Sequence, residues 1–240
     1  MARQDGRGAV ELRPVEVIRG YTRNAPGSVL ISTGNTVVLC TACWEADVPR
    51  WKAGQGSGWV TAEYDMLPGA TTERRRRSRT RIDGRTQEIQ RLIGRSLRSV
   101  IDLEALGERS LLVDCDVLQA DGGTRTASIT GAYIAVCDAV RTALRNKLIR
   151  KTPVLDAVAA VSVGRVNDRL LLDLDYSEDS AAEVDMNVVM TGSGRFVEIQ
   201  GTAEEATFTR PDLDRLLRLA SRGIRQLIEV QRRALRRRLR

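Results

Sequence analysis

The chain has 240 residues, 42% of them hydrophobic, which is enough for a proper core in one domain or two. With 38 basic against 31 acidic residues its formal charge is +7, the balance of a protein that meets polyanions. No apolar run approaches the roughly 20 residues needed to span a bilayer, and the opening MARQDGRGAV has no apolar signal core, so a soluble cytoplasmic protein without a membrane partner is expected.

Taken in chain order, Val15–Arg19 reads as a strand, and Val29–Ala42 as a hairpin around the Gly34-Asn35 turn. Gly58–Tyr64 is a further strand. From Thr86 to about Ile101 the spacing of Ile89, Leu92, Ile93, Leu97 and Val100 predicts a helix with one apolar face. Ser110–Val117 reads as a buried strand that runs into a Gly122-Gly123 turn. An amphipathic helix follows from Thr126 to about Leu148, with Ile129, Tyr133, Val136, Val140 and Leu144 on one stripe. Strands are expected at Ala157–Val166 and Arg169–Tyr176, and a second hairpin, Met186–Ala203, turns at Gly192-Ser193-Gly194. The last helix starts near Pro211, with Thr209 able to cap it and Asp212 and Asp214 at its positive end. Two hairpins, each followed at a distance by a long helix, suggest two related halves in a mixed α/β or α+β layered domain.

Two absences and one excess bear on chemistry. There is no histidine, so the usual general base near neutral pH and the commonest metal ligand are both missing. Only Lys52, Lys147 and Lys151 are lysine, so nearly every basic group is a guanidinium fork suited to phosphate. Cys40 and Cys43 form a C-x-x-C, but no second pair accompanies them. They sit in the strand-like run VVLCTACW, where cysteine behaves as a small buried hydrophobe rather than a zinc or redox ligand.

Charge is segregated. Ten arginines face two acids between Arg74 and Arg98, and the run Arg74, Arg75, Arg76, Arg77, Arg79, Arg81 reads as an exposed RNA-contacting loop rather than a merely solvated face. The C-terminal QRRALRRRLR is similarly basic, and either reading suits it. Leu170 to Glu205 instead carries nine acids and a single base, Arg195.

Two places point to an anion. Gly122 and Gly123 let the backbone turn sharply, the helix after them offers free N–H groups, and Arg125 adds a planar donor fork beside Gly123 and Thr124. Arg85 likewise stands immediately before a helix, where on the residues alone it is equally an ordinary exposed arginine. The acid-rich segment supplies Asp173, Asp175, Glu178, Asp179, Glu183 and Asp185. Strand alternation would set Asp173 and Asp175 on one face, while Asp179 and Asp185 flank a loop from which side chains reach a site. One or two carboxylates plus water are the usual protein share of a Mg²⁺ site.

The block Asp114–Ile134, DCDVLQADGGTRTASITGAYI, resembles the signature of the ribonuclease PH family of phosphate-dependent 3′-exoribonucleases. The likeness extends to Asp5-Gly-Arg7, Leu12-Arg-Pro14, Gly27-Ser-Val29, Gly58-Trp-Val-Thr-Ala-Glu-Tyr64, Gln90–Arg95, Asp102–Gly107 and Gln200-Gly-Thr-Ala203, nearly the whole chain. It departs at Thr71–Asp83, where the family has a spaced basic loop and this chain is almost solid arginine.

The resemblance implies an α+β fold built from a duplicated β-α unit related to the second domain of ribosomal protein S5. Residues 1–240 would form one catalytic domain with halves of about 10–105 and 110–235. It implies that Arg85, Gly123, Thr124 and Arg125 bind inorganic phosphate, and that Asp179 and Asp185 are the metal-binding and acid-catalytic pair, with Mg²⁺. The implied activity is that of a tRNA nucleotidyltransferase: trimming tRNA precursors at single-stranded 3′ tails by transferring terminal nucleotides to phosphate. A homohexamer, built as a trimer of dimers, is the implied assembly. The missing histidine then makes sense, since phosphate is already an anionic nucleophile that needs positioning and charge neutralisation. The alternatives are an exosome-type or polynucleotide phosphorylase-like degrading subunit, and a silent RNA-binding ring subunit. The last would be expected to lose Arg125 or the acidic pair, and this chain keeps both.

Overall fold

Alternating apolar residues make the first hairpin. Val29 and Ile31 of β2 (Gly27–Thr33) and Val38, Cys40 and Ala42 of β3 (Thr36–Glu45) all point inward and are fully buried. The computed structural model describes residues 3–77, 82–203 and 207–237. Within them, β1 (Val15–Arg19), β4 (Trp59–Met66) and β5 (Ser110–Gln119) complete a five-stranded sheet of order β1-β2-β3-β5-β4, with β4 and β5 parallel. The parallel pair needs a crossover, and α1 (Gly84–Arg98) with the short α2 (Leu103–Leu106) supplies it. The chain leaves this sheet after β5, runs through α3 (Thr124–Arg145), and enters a second sheet of order β7-β6-β8-β9. Its strands are β6 (Val158–Val166), β7 (Arg169–Leu172), β8 (Val184–Thr191) and β9 (Phe196–Ala203), all antiparallel. A one-turn helix, α4 (Tyr176–Ser180), joins β7 to β8, and α5 (Arg210–Arg236) closes the chain. The α+β architecture is the one expected.

Three differences from expectation have physical causes. The helix after the Gly-Gly turn is not one-sided: residues from Ala127 to Val140 are buried without a break. It packs on β2 and β3 on one side and on β6 on the other, so α3 is the central helix of the molecule. It also begins at Thr124, two residues earlier than its apolar stripe indicates. Finally, the strand expected over Arg169–Tyr176 ends at Leu172, because Asp173 takes a left-handed backbone (φ 57°) and turns the chain away. Asp173 and Asp175 therefore do not share a strand face.

The core divides accordingly. Sheet one, α1 and most of α3 form one apolar cluster, and the α5 side of the second sheet forms another, through Met186, Val188, Leu216 and Ile224. The cysteines fit the first cluster: Cys40 and Cys115 are opposite each other on β3 and β5 with sulfurs 3.9 Å apart, and both are free thiols.

The sheet-to-helix contact is closest at Gly27, where a Cβ would stand 1.9 Å from the main-chain oxygen of Ala135. That obstacle is backbone and cannot rotate aside. Gly27→Ala should therefore cost about 3 kcal/mol, the upper part of the range for overpacking, read as a lower urea midpoint at unchanged m-value. Wild-type stability would mean that α3 is not held this tightly.

Candidate active site

The site is built on the turn between β5 and α3. Gly122 and Gly123 both have left-handed backbones (φ 71° and 65°), which a side chain would strain. Gly122 also lies directly against α4: a Cβ there would meet the carbonyl carbon of Asp175 at 2.6 Å. Gly123 is the N-cap of α3 and has no side chain to cap it, so the first N–H groups of a 22-residue helix face outward. Thr124 is buried and accepts a 2.9 Å hydrogen bond from the Tyr64 hydroxyl at the end of β4.

What fixes the turn from below is an ion pair that the sequence did not reveal. The buried Arg13 guanidinium donates to both Asp173 carboxylate oxygens (2.6 and 3.1 Å) and to the Asp121 main-chain oxygen (2.5 Å). Asp173 also accepts from the Arg13 main-chain N–H at 2.8 Å. Nearby, buried Arg3 grips Glu178 of α4 by two nitrogens (2.5 and 2.7 Å) and the carbonyls of Leu172 and Asp173. The segment 3–13 thus ties the Gly-Gly turn to the second sheet. Asp173 therefore supports the turn from behind, and Asp175 caps α4 by accepting from the Glu178 N–H.

Arg85 and Arg125 each stand in the first turn of a helix. Arg85 is exposed in the first turn of α1, whose N-cap Asp83 accepts from the Thr86 N–H at 2.7 Å. That bond holds the Asp83 carboxyl below its usual range, so the cap is intact at neutral pH and is lost only in acid. Burial pushes the Tyr64 hydroxyl pKa up, opposed by its bond to Thr124 and by the charges of Arg85, Arg125 and Arg75. The charges of all three arginines thus act on one phenol at the end of β4.

Arg125 also crosses to the second sheet. It donates to Gln200 of β9 at 2.6 Å and lies 3.5 Å from Glu88 of α1. Gln200 is paired with Asn187 of β8, two residues from Asp185. Val184, Met186 and Val188 face α5, so the alternate residues Asp185 and Asn187 face the other way, toward Arg125. Asp185 is half-buried, and Asp179 is exposed on α4, the helix on which the Gly-Gly turn rests. Among the described residues no group of three or more His, Cys, Asp or Glu side chains is disposed to cage a metal. Asp179 and Asp185 are the carboxylates that could hold Mg²⁺, which takes one or two protein carboxylates and keeps several of its waters.

The arginine segment lies at the open end of this region. Arg74, Arg76 and Arg77 are exposed, Arg75 pairs with Asp83 at 3.3 Å, and Arg79 lies outside the described residues. Arg75 and Arg76 line a cleft of 360 Å³ with Tyr64, Asp65, Asp114 and Asp116. Burial and the neighbouring Asp114 and Asp65 push the Asp116 pKa up, and Arg77 opposes them. The residues that sequence reasoning left without a role are Arg13, Tyr64, Glu88 and Gln200. Three of them stood in plain view in Leu-Arg-Pro, Gly-Trp-Val-Thr-Ala-Glu-Tyr and Gln-Gly-Thr-Ala motifs, but nothing in one sequence says that these meet.

Comparison with known proteins identifies the family. Residues 11–141 match the model of the 3′ exoribonuclease family, domain 1, and residues 156–223 match domain 2. Ribonuclease PH of Synechococcus sp. (strain CC9605) is 56% identical over 232 residues, covering 97% of this chain and 94% of that protein. Ribonuclease PH of Rhodopirellula baltica is 60% identical over 227 residues, covering 92% of each. Among solved structures, a chain of the Archaeoglobus fulgidus exosome with RNA bound to the active site superposes with a TM-score of 0.82 at 24% identity, over 95% of this chain and 92% of that one. Rice Rrp46 gives 0.81 at 18% identity, over 98% and 100%. The chain belongs to the 3′ exoribonuclease family.

If the Arg13–Asp173 pair positions the turn, Asp173→Asn should leave a buried guanidinium without its counter-charge. The expected loss is about 3–5 kcal/mol of stability, measured by denaturant unfolding. A loss under about 1 kcal/mol, the scale of an exposed pair, would show that the pair is dispensable.

Proposed function

We propose that the chain is a phosphorolytic 3′→5′ exoribonuclease that trims the 3′ ends of tRNA precursors. Inorganic phosphate attacks the last phosphodiester of the RNA, the bond to the 3′ oxygen of the preceding ribose breaks, and the terminal nucleotide leaves as a nucleoside diphosphate. The observation that carries this reading is Arg125 at the uncapped start of α3, bonded across to Gln200 of the second sheet, with Arg85 in the first turn of α1.

Each part has a chemical task. The α3 N–H groups, Thr124 and the two guanidinium forks hold the nucleophile and spread its charge. Positioning does most of the work, because a phosphate anion needs no base to activate it. Asp179 and Asp185 would hold Mg²⁺, which when bound supplies positive charge against the negative charge that develops on the transferring phosphoryl group. Asp185 is also the group assigned to return a proton to the departing 3′ oxygen. The arginine segment 74–79 holds the single-stranded tail by its phosphates. A cytoplasmic homohexamer, arranged as a trimer of dimers, is part of the same reading. It is favoured over a silent RNA-binding ring subunit because Arg85, Arg125, Asp179 and Asp185 are all retained.

Incubating the protein with a 3′-extended tRNA, with and without phosphate, tests the reaction. Nucleoside diphosphates should form only with phosphate, and monophosphates formed without it would overturn the reading. Arg125→Ala should weaken phosphate use by roughly 10- to 100-fold, the worth of a charge-assisted hydrogen bond, while RNA binding changes little. Asp185→Asn should keep fold and RNA affinity but cut turnover by about 100-fold or more. Full activity in that variant would pass the role to another member of the acidic group. Tail binding through about three to four phosphates gives a log-affinity against log-salt slope of roughly −2 to −3. Neutralising Arg74–Arg77 together should flatten it, and an unchanged slope would make that segment a solvated face.

A further inference from the structure

Positive charge is concentrated at one end of the fold. Residues 141–151 and 232–240 hold eleven basic side chains and no acid. The rest of the chain keeps 27 of the 38 bases against all 31 acids, so without these two short segments the net charge of +7 would be negative. Folding brings the segments together. Arg141 of α3 donates to the Leu235 carbonyl of α5 at 2.8 Å. Arg19 of β1 joins buried Asp138 of α3 to the carbonyls of Ala234 and Arg237, at 2.8 and 2.5 Å. The C-terminal ends of α3 and α5 are thus fastened side by side.

Structural duties account for only part of this charge. A helix C-terminus favours cations in its last turn, and Arg19 and Arg141 already take the carbonyls there. Asp138 is occupied by the same two arginines. Arg145, Lys147, Arg233, Arg236 and Arg237 are exposed, and none of them is paired with a carboxylate among the described residues. Like charges held together at one end repel each other, and a polyanion laid across them removes that cost.

We propose that the paired ends of α3 and α5 bind the folded body of the RNA whose 3′ end is being trimmed. This rests on the phosphorolytic reading above. The proposed anion site lies at the start of α3 and the basic patch at its end. The 22 residues of α3, at about 1.5 Å each, separate the two by roughly 33 Å. The patch therefore does not touch the terminal nucleotide. At about 3.4 Å per stacked base, an RNA must run roughly ten base pairs back from the site to meet it. A tRNA precursor has a body of that reach, and a tetranucleotide does not. Four of the five exposed groups are guanidiniums, whose planar forks match phosphate oxygens. Contacts to phosphate carry no base sequence, so the patch ranks substrates by length and fold. The preference for long structured RNA over short fragments is then set away from the chemistry.

The test uses a whole 3′-extended tRNA, its isolated single-stranded tail and a tetranucleotide, with binding measured in the absence of phosphate. For the wild type, the log-affinity against log-salt slope should be steeper for the whole precursor than for the tail by about 3 or more, roughly one for each added contact. Replacing Arg233, Arg236 and Arg237 together by Gln should flatten the precursor slope by roughly 2–3 and weaken its binding about tenfold or more at low salt. Arg145→Gln with Lys147→Gln, on the other helix, should flatten it by roughly 1–2. In both variants kcat and KM for the tetranucleotide should stay as in the wild type.

Equal slopes for precursor and tail in the wild type would overturn the proposal, and that comparison needs no variant to fold. So would an unchanged precursor slope in both variants, which would make the patch a solvated end. A variant that loses tetranucleotide phosphorolysis as fully as precursor binding would place the damage at the active site instead. A smaller assembly by light scattering, with the precursor slope unchanged, would assign the patch to a second copy of the chain. Binding to vesicles of anionic lipid that the variants lose, again with the precursor slope unchanged, would assign it to a membrane surface. Wild type that binds the precursor as expected but makes no nucleoside diphosphate sinks only the phosphorolytic reading. Phosphate-dependent wild type with equal slopes sinks only the patch.

Discussion

The buried pair between Arg13 and Asp173 is the constraint on which the site depends. A Gly-Gly turn has little rigidity of its own, and an anion site with mobile donors loses in ordering entropy much of what its hydrogen bonds supply. Here the turn is clamped from both sides. Arg13 reaches up to the Asp121 carbonyl from an N-terminal segment, and the start of α4 presses on Gly122. Asp173 completes the clamp from the end of β7, in a left-handed conformation that an aspartate tolerates better than most residues. One charge pair thus joins the N-terminal segment, the turn between β5 and α3 and the acidic segment.

The same logic of shared elements explains the placement of the chemistry. The groups proposed to bind the nucleophile come from the ends of two helices on the first sheet, and the carboxylates proposed to face them come from the second sheet and its connecting helix. Arg125 bridges them through Gln200 and Glu88. The start of α3 meets the second sheet through the bond from Arg125 to Gln200. The protein needs no histidine because the acid–base demand is small and the electrostatic demand is large.

Most of the architecture is legible in the sequence because its elements are strongly periodic. The hairpins, α1 and α5 announce themselves by alternation or by a 3.6-residue stripe, with Thr209 and Asp212 forming the capping box of α5. Two features are not legible for physical reasons. A helix covered on two sides looks amphipathic if one counts only its large residues, because its second interface is made of small ones such as Ala132, Ala135 and Ala139. A strand ended by a single left-handed aspartate continues on paper, which is how Asp173 and Asp175 come to share a face they do not share. Long-range ion pairs are invisible in principle: nothing local marks Arg13 among 38 basic residues as the one that is buried under the turn. Arg85 and Gly123–Arg125 were legible as motifs, while the bonds of Tyr64 to Thr124 and of Arg125 to Gln200 required the fold.

The account turns on inorganic phosphate being the nucleophile. Isotopically labelled orthophosphate supplied with unlabelled RNA tests that most directly. The label should appear in the terminal phosphoryl group of the released nucleoside diphosphate, one atom of phosphorus per nucleotide removed. Nucleotide release with no label incorporated would mean that water attacks instead, and would contradict the account at its centre.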